Sequence, residues 1–135
     1  GGLAEIPCLR PMTVYEGARR GGYYGFPVIY DADKLGGTPA DEFLKAVNAE
    51  GLNASMTPYP NLHELPLFAK GFDIFTRNRG PLCESEGYTG YKPGDFPNAE
   101  LAAARTIFLP RLSQPIENAA TIVLDALKRA ADQCG

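Results

Sequence analysis

Residues 23–59, YYGFPVIYDADKLGGTPADEFLKAVNAEGLNASMTPY, decide the fold. Their opening part, 23–31, alternates. Tyr24, Phe26, Val28 and Tyr30 share one face and Ile29 lies on the other, the period of two that a strand requires. Pro27 has no N–H to give to a neighbour, so this strand is expected at a sheet edge or at a bulge. Gly36-Gly37 turns the chain. Thr38-Pro39 then opens a helix: Thr38 is placed to cap the free N–H groups, Pro39 fits the first turn, and Asp41 and Glu42 suit the positive end of the dipole. Phe43, Leu44 and Val47 form its apolar stripe, and Gly51 is its stop. Residues 52–59 read as a second strand, on the alternation of Leu52, Ala54 and Met56. The whole is a β–α–β unit.

Residues 1–22 read as a lead-in or linker, rich in Gly, Pro and Arg and without a periodic apolar face. The Gly1-Gly2 opening, with no Met, is that of a truncated or processed chain. Beyond the unit, 60–68 is expected to be a loop that ends in a short helical turn after Pro66, and 71–76 a short apolar segment. Residues 77–95 are rich in Gly, Pro and polar side chains; a stretch this long without periodicity is usually functional or mobile. Pro97 opens a helix predicted to run through Ala99, Ala102, Ala103 and Ile107, stopped by Leu109-Pro110. Residues 116–131 make the clearest helix, with Ile116, Ala119, Ala120, Val123, Leu127 and Ala130 on one stripe, Glu117 in the first turn and Lys128 and Arg129 in the last. The expected fold is therefore α/β in the α+β sense, a small sheet with helices packed mainly on one face.

The chain has 135 residues, enough for one domain, and its 44% hydrophobic content supplies a core. A net charge of −3 with no basic face argues against nucleic acid as a partner. No apolar run reaches the ~20 residues of a membrane span, and no signal peptide opens the chain. The three cysteines, Cys8, Cys83 and Cys134, have no CxxC spacing, which favours free thiols and a cytoplasmic location.

Chemistry-bearing residues are few. His63, the only histidine, lies between Pro60 and Pro66 just after a predicted strand end, where α/β folds place ligands; it either contacts a substrate or cofactor or bonds to nearby backbone. A Cys83/His63 nucleophile pair has no local support. One histidine and three scattered cysteines do not make a zinc site. Arg77 and Arg79 are either an anion clamp or solvated loop charges, and Glu84 and Glu86 read as solvated. Gly21 to Gly25 precedes a strand instead of opening a helix, so it is no phosphate cradle. Lys34, in a turn beside Asp31 and Asp33, reads as a surface lysine and not as a Schiff-base former. Tyr59, Tyr88 and Tyr91 offer hydroxyls to a ligand or ordinary packing.

Read in order, five pieces resemble one family, the DegT/DnrJ/EryC1/StrS group of pyridoxal-phosphate-dependent sugar aminotransferases. Leu9-Arg10-Pro11 is similar to the link into that family's last domain, and Tyr24 to Asp31 to its first C-terminal strand. Thr38 to Gly51 looks like its helix. The most specific piece is Tyr59-Pro60-Asn61-Leu62-His63-Glu64-Leu65-Pro66-Leu67-Phe68, similar to a Y-P-x-L-H-x-x-P-x-F loop. Phe96-Pro97-Asn98-Ala99-Glu100 with Leu109-Pro110 resembles its FPxAE helix and stop. The likeness covers residues 9–132.

The resemblance implies the C-terminal small domain of a fold-type I enzyme, here residues 23–135. The large domain, with the lysine that holds pyridoxal 5'-phosphate, would be missing. No catalytic residue would then lie in this chain, and the cofactor would belong to the parent protein, not bound covalently here. The implied partners are the large domain of the same polypeptide, encoded by roughly 250 further residues upstream, a homodimer mate, and a keto-sugar or nucleotide-sugar. Tyr59 and His63 are the nearest candidates to touch that sugar. Arg77 joins them because the stretch from Phe68 to Phe96 looks longer than the family's and reads as a substrate-specific insertion. The residues that separate aminotransferases from dehydratases would lie in the large domain. Two other readings compete: a stand-alone small-molecule-binding or regulatory module, and a small hydrolase using His63 and Cys83.

Overall fold

In the computed structural model, residues 2–18, 25–71, 77, 82–83, 86–111 and 116–135 are described. Four strands, β1 (Leu9–Pro11), β2 (Phe26–Tyr30), β3 (Ser55–Met56) and β4 (Thr106–Leu109), form one antiparallel sheet in the order β1-β2-β4-β3. Among the described residues four α-helices accompany it: α1 (Ala40–Ala49), α2 (Pro66–Lys70), α3 (Pro97–Arg105) and α4 (Ala119–Cys134). This is a small α+β fold. The strands β2 and β3, which flank α1 in sequence, run parallel with β4 between them, so the β–α–β unit is split by a strand that arrives later in the chain.

The chain divides into two units, Gly1–Thr57 with Ala104–Gly135, and Pro58–Ala103. The first holds the sheet, α1 and α4. Its core is the strand face carrying Leu9, Val28, Tyr30, Ile107 and Leu109, closed by Phe43 and Val47 of α1 and Leu127 and Ala130 of α4. Burying each of the larger of these side chains contributes roughly 1.5–3 kcal/mol. Tyr30 and Phe43 stack with ring centroids 4.9 Å apart, and the Tyr30 hydroxyl donates to the Thr38 carbonyl at 2.7 Å. Burial pushes that phenol up to about 12.

Several expectations change. Residues 1–22 are more than a lead-in: Ile6, Cys8 and Leu9 are core residues and β1 is part of the sheet. Pro27 lies on an inner strand, not at an edge. The Asp31 N–H donates to the Cys8 carbonyl at 2.8 Å, so alternate β2 residues turn their backbone groups toward β1. Pro27 falls in that series but has no N–H to give. The ladder with β1 accordingly stops one residue short, at Pro11↔Val28, while β2 stays paired with β4 through Pro27↔Phe108. The helix expected to reach Ile107 ends at Arg105, and Thr106 to Leu109 form the central strand. Ile107 fits both periods, four residues after Ala103 and two before Leu109. The β-branched and aromatic run Thr-Ile-Phe takes the strand, with Ile107 and Leu109 buried.

The second expected strand, 52–59, shrinks to Ser55–Met56. Just before it, Asn48 of α1 grips Ala54 from both sides, Nδ2 donating to the Ala54 carbonyl at 3.0 Å and the Ala54 N–H donating to Oδ1 at 2.8 Å. Thr38 does not cap α1. Pro39 is the N-cap, and the Thr38 hydroxyl donates to the Cys134 carbonyl at 3.1 Å. Gly51 does stop the helix, at φ +89°. The closing helix starts at Ala119 and reaches Cys134, so Lys128 and Arg129 are not in its last turn. They pair instead with Glu5 at 2.7 Å and Glu50 at 2.6 Å.

Candidate functional site

The motif loop belongs to the unit Pro58–Ala103. Its bends are local: Glu64 N–H donates to the Asn61 carbonyl and Leu65 N–H to that of Leu62, each at 3.1 Å, forming a 3₁₀ turn over Leu62–Glu64. Three residues per turn point three side chains in three directions. His63 therefore turns inward, to 7% exposure, while its neighbour Leu62 stands 67% exposed. Pro66 then opens α2, where a missing N–H costs nothing.

The inward imidazole meets α3. His63 Nε2 lies 2.8 Å from Oε1 of Glu100, 37 residues away in sequence, and 3.8 Å from Oε1 of Glu64. The Glu100 carboxyl also accepts the Gly94 N–H at 2.6 Å. That amide first, and the His63 bond second, hold Glu100 below the usual carboxylate range against the opposing effect of burial. An ionised carboxylate only accepts hydrogen bonds, so Nε2 carries the proton and donates it. Asn61 Nδ2 reaches Glu64 Oε1 at 3.4 Å.

An aromatic row continues from the imidazole. The Phe96 ring is 4.9 Å from that of His63, Tyr91 is 5.2 Å from Phe96, and Tyr88 is 6.0 Å from Tyr91, the last two pairs edge to face. Backbone contacts tie this row to α2: the Tyr91 N–H donates to the Phe68 carbonyl at 3.1 Å, as does the Tyr88 hydroxyl. Gly90 makes the approach possible. A Cβ there would lie 2.0 Å from the Ala69 carbonyl oxygen, at a φ of +72°. The described part of 77–95, expected to be structureless, is thus pinned along residues 86–95.

The three residues proposed as substrate contacts fare differently. Tyr59 is 62% exposed, whereas His63 is buried and engaged by Glu100, Glu64 and Phe96. Arg77 is exposed, with a left-handed φ of +56°, and no described contact joins it to His63. Arg79, Glu84, segment 72–76 and Tyr24 lie outside the described residues. Cys83 is buried and in no disulfide. Glu100, central to the site, stood in the sequence only as the last residue of the FPxAE piece, with no role assigned.

Pyridoxal phosphate needs an amine in a pocket to hold it covalently, and the lysines do not provide one. Lys34, Lys45, Lys70 and Lys92 are exposed, and Lys128 is paired to Glu5. A hollow of about 550 Å³ in the sheet-bearing unit is apolar, with Leu3, Phe26, Leu109, Val123 and Leu124 among its walls. None of these lysines fits the cofactor's covalent chemistry.

No protein-family model, no curated protein and no solved structure matches the chain. Among the described residues no helix is long and apolar enough to cross a membrane.

Proposed function

We propose that this chain is the C-terminal small domain of a pyridoxal-phosphate-dependent aminotransferase acting on a keto-sugar or nucleotide-sugar, in the cytoplasm, and that it closes one wall of an active site completed by a large domain of the same polypeptide and by a homodimer mate. One observation carries the reading. The most specific piece of the resemblance, 59–68, meets another of its pieces, 96–100, through the His63–Glu100 bond and the His63–Phe96 ring contact. That contact between pieces 37 positions apart is what supports treating them as one part. In this reading Glu100 and Phe96 hold the loop, and the exposed Tyr59 faces the sugar. His63 serves chiefly as the loop's anchor. The small domain contributes shape and substrate contacts; the cofactor would supply the amino-transfer chemistry from the large domain.

The apolar hollow favours a second reading, a stand-alone module that binds an apolar small molecule. Expressing the protein from its full gene separates the two. A two-domain product with a cofactor absorbance band, bleached by an amino donor, supports the aminotransferase. A complete product no longer than this chain, with no such band, refutes it and leaves the binding module.

A further inference from the structure

Sequence spacing offered no metal site, because it counted histidine and cysteine. Folding brings a different donor set together. His63 Nε2 and carboxylate oxygens of Glu64 and Glu100 all lie within 4.8 Å of one another. We propose that these three side chains bind one divalent first-row transition ion, with zinc as the best fit, independently of the aminotransferase reading.

Ligands held tetrahedrally at about 2.0–2.1 Å from zinc sit about 3.3 Å from each other. From Nε2 the two carboxylate oxygens stand at 2.8 and 3.8 Å, one slightly inside that spacing and one slightly outside. Small swings of the two glutamate side chains equalise them. Their side chains are partly exposed, at 38% and 27%, whereas the imidazole is fixed by burial. Two carboxylates and a neutral ring neutralise a divalent charge. One nitrogen with two oxygens suits zinc or manganese, and the absence of thiolate from the set disfavours softer ions. The hydrogen bonds that orient metal-bound carboxylates are already present: Gly94 N–H on Glu100 and Asn61 Nδ2 on Glu64. The proton balance closes within the ring. The ion takes the Nε2 lone pair, the Nε2 proton is transferred to Nδ1, and the imidazole changes tautomer without changing charge. Three protein ligands leave the solvent side of the ion open to water or to a ligand oxygen.

The test is calorimetric titration of the 135-residue chain with Zn²⁺, joined to the absorption spectrum of the Co²⁺ form. The expected result is one ion per chain and a cobalt spectrum without the thiolate charge-transfer band that binding at Cys8, Cys83 or Cys134 would produce. Glu64→Gln keeps the His63–Glu100 bond and the fold, checked by circular dichroism. Changing an outer partner of a metal ligand already costs about 10–100-fold in affinity, so loss of a ligand should weaken binding about a hundredfold or more. No saturable zinc binding, binding undiminished in Glu64→Gln, or a thiolate band in the cobalt spectrum would each overturn the proposal.

Discussion

Replacing Gly90 by alanine tests whether the aromatic row is held to α2 as described. Two glycines in this stretch have similar positive φ: Gly87 +84° and Gly90 +72°. They differ in what surrounds them. A Cβ on Gly87 meets nothing within 4 Å, whereas one on Gly90 meets the Ala69 carbonyl oxygen at 2.0 Å. Left-handed backbone costs an alanine about 1–2 kcal/mol, offset by about 0.4–1 kcal/mol from the stiffer unfolded chain. Gly87→Ala should therefore lose about 1 kcal/mol. Gly90→Ala carries the same strain and must also move the strand of chain away from α2. That motion breaks the bonds from the Tyr91 N–H and the Tyr88 hydroxyl to the Phe68 carbonyl, each worth about 1 kcal/mol. The expected loss is about 3 kcal/mol. Amide hydrogen exchange at Tyr91 reads the effect locally, because its N–H is one of the broken bonds. Protection should fall about thirtyfold more in Gly90→Ala than in Gly87→Ala, the equivalent of 2 kcal/mol at about 1.4 kcal/mol per decade. Equal losses in the two variants would refute the described contact.

Three further outcomes follow from the same coordinates. Ile107→Ala, at a fully buried position on the central strand, should cost about 2–5 kcal/mol in urea unfolding; a loss under 1 kcal/mol would point back to a helix at this position. Tyr30 is shifted upward, so its protonated form favours the fold: that contribution is complete below the ordinary tyrosine range near 10 and is lost as pH rises toward about 12. Ultraviolet titration should show a tyrosine ionising at about 12 whose step vanishes in Tyr30→Phe. Glu100 is shifted downward, so its contribution is present above the ordinary carboxylate range and is lost as pH falls through its lowered value. The Gly94 amide shift, followed by NMR, should report that acid step, and Glu100→Gln should abolish it.

The parts of the fold legible in the sequence were those with one period and a clear end. The α1 stripe of Phe43, Leu44 and Val47 closed by Gly51, and the α4 stripe of Leu127 and Ala130, needed no partner to be read. Ile107 was illegible because its neighbours satisfy both periods, and only pairing with Val28 and Met56 decides for the strand. Pro27 misled for a related reason. A missing donor excludes pairing at one position on one side, and the sequence alone cannot say that β1 ends there. At the candidate site, His63 could be singled out as a lone imidazole between prolines. Glu100 stood in the FPxAE piece, but its pairing with His63 could not be read, since a carboxylate in the first turn of a helix is ordinary until the loop folds onto it.

The split sheet has an evolutionary consequence. The Thr57 N–H donates to the Thr106 carbonyl at 3.2 Å, so the chain that leaves the sheet after β3 returns beside its own point of departure. Everything between is spliced in at a single doorway whose two posts the sheet already holds together. Lengthening such an excursion is cheap, about 0.6 kcal/mol for each doubling of a flexible segment. The motif loop and the aromatic row can therefore be lengthened or replaced in evolution while the four strands keep their register.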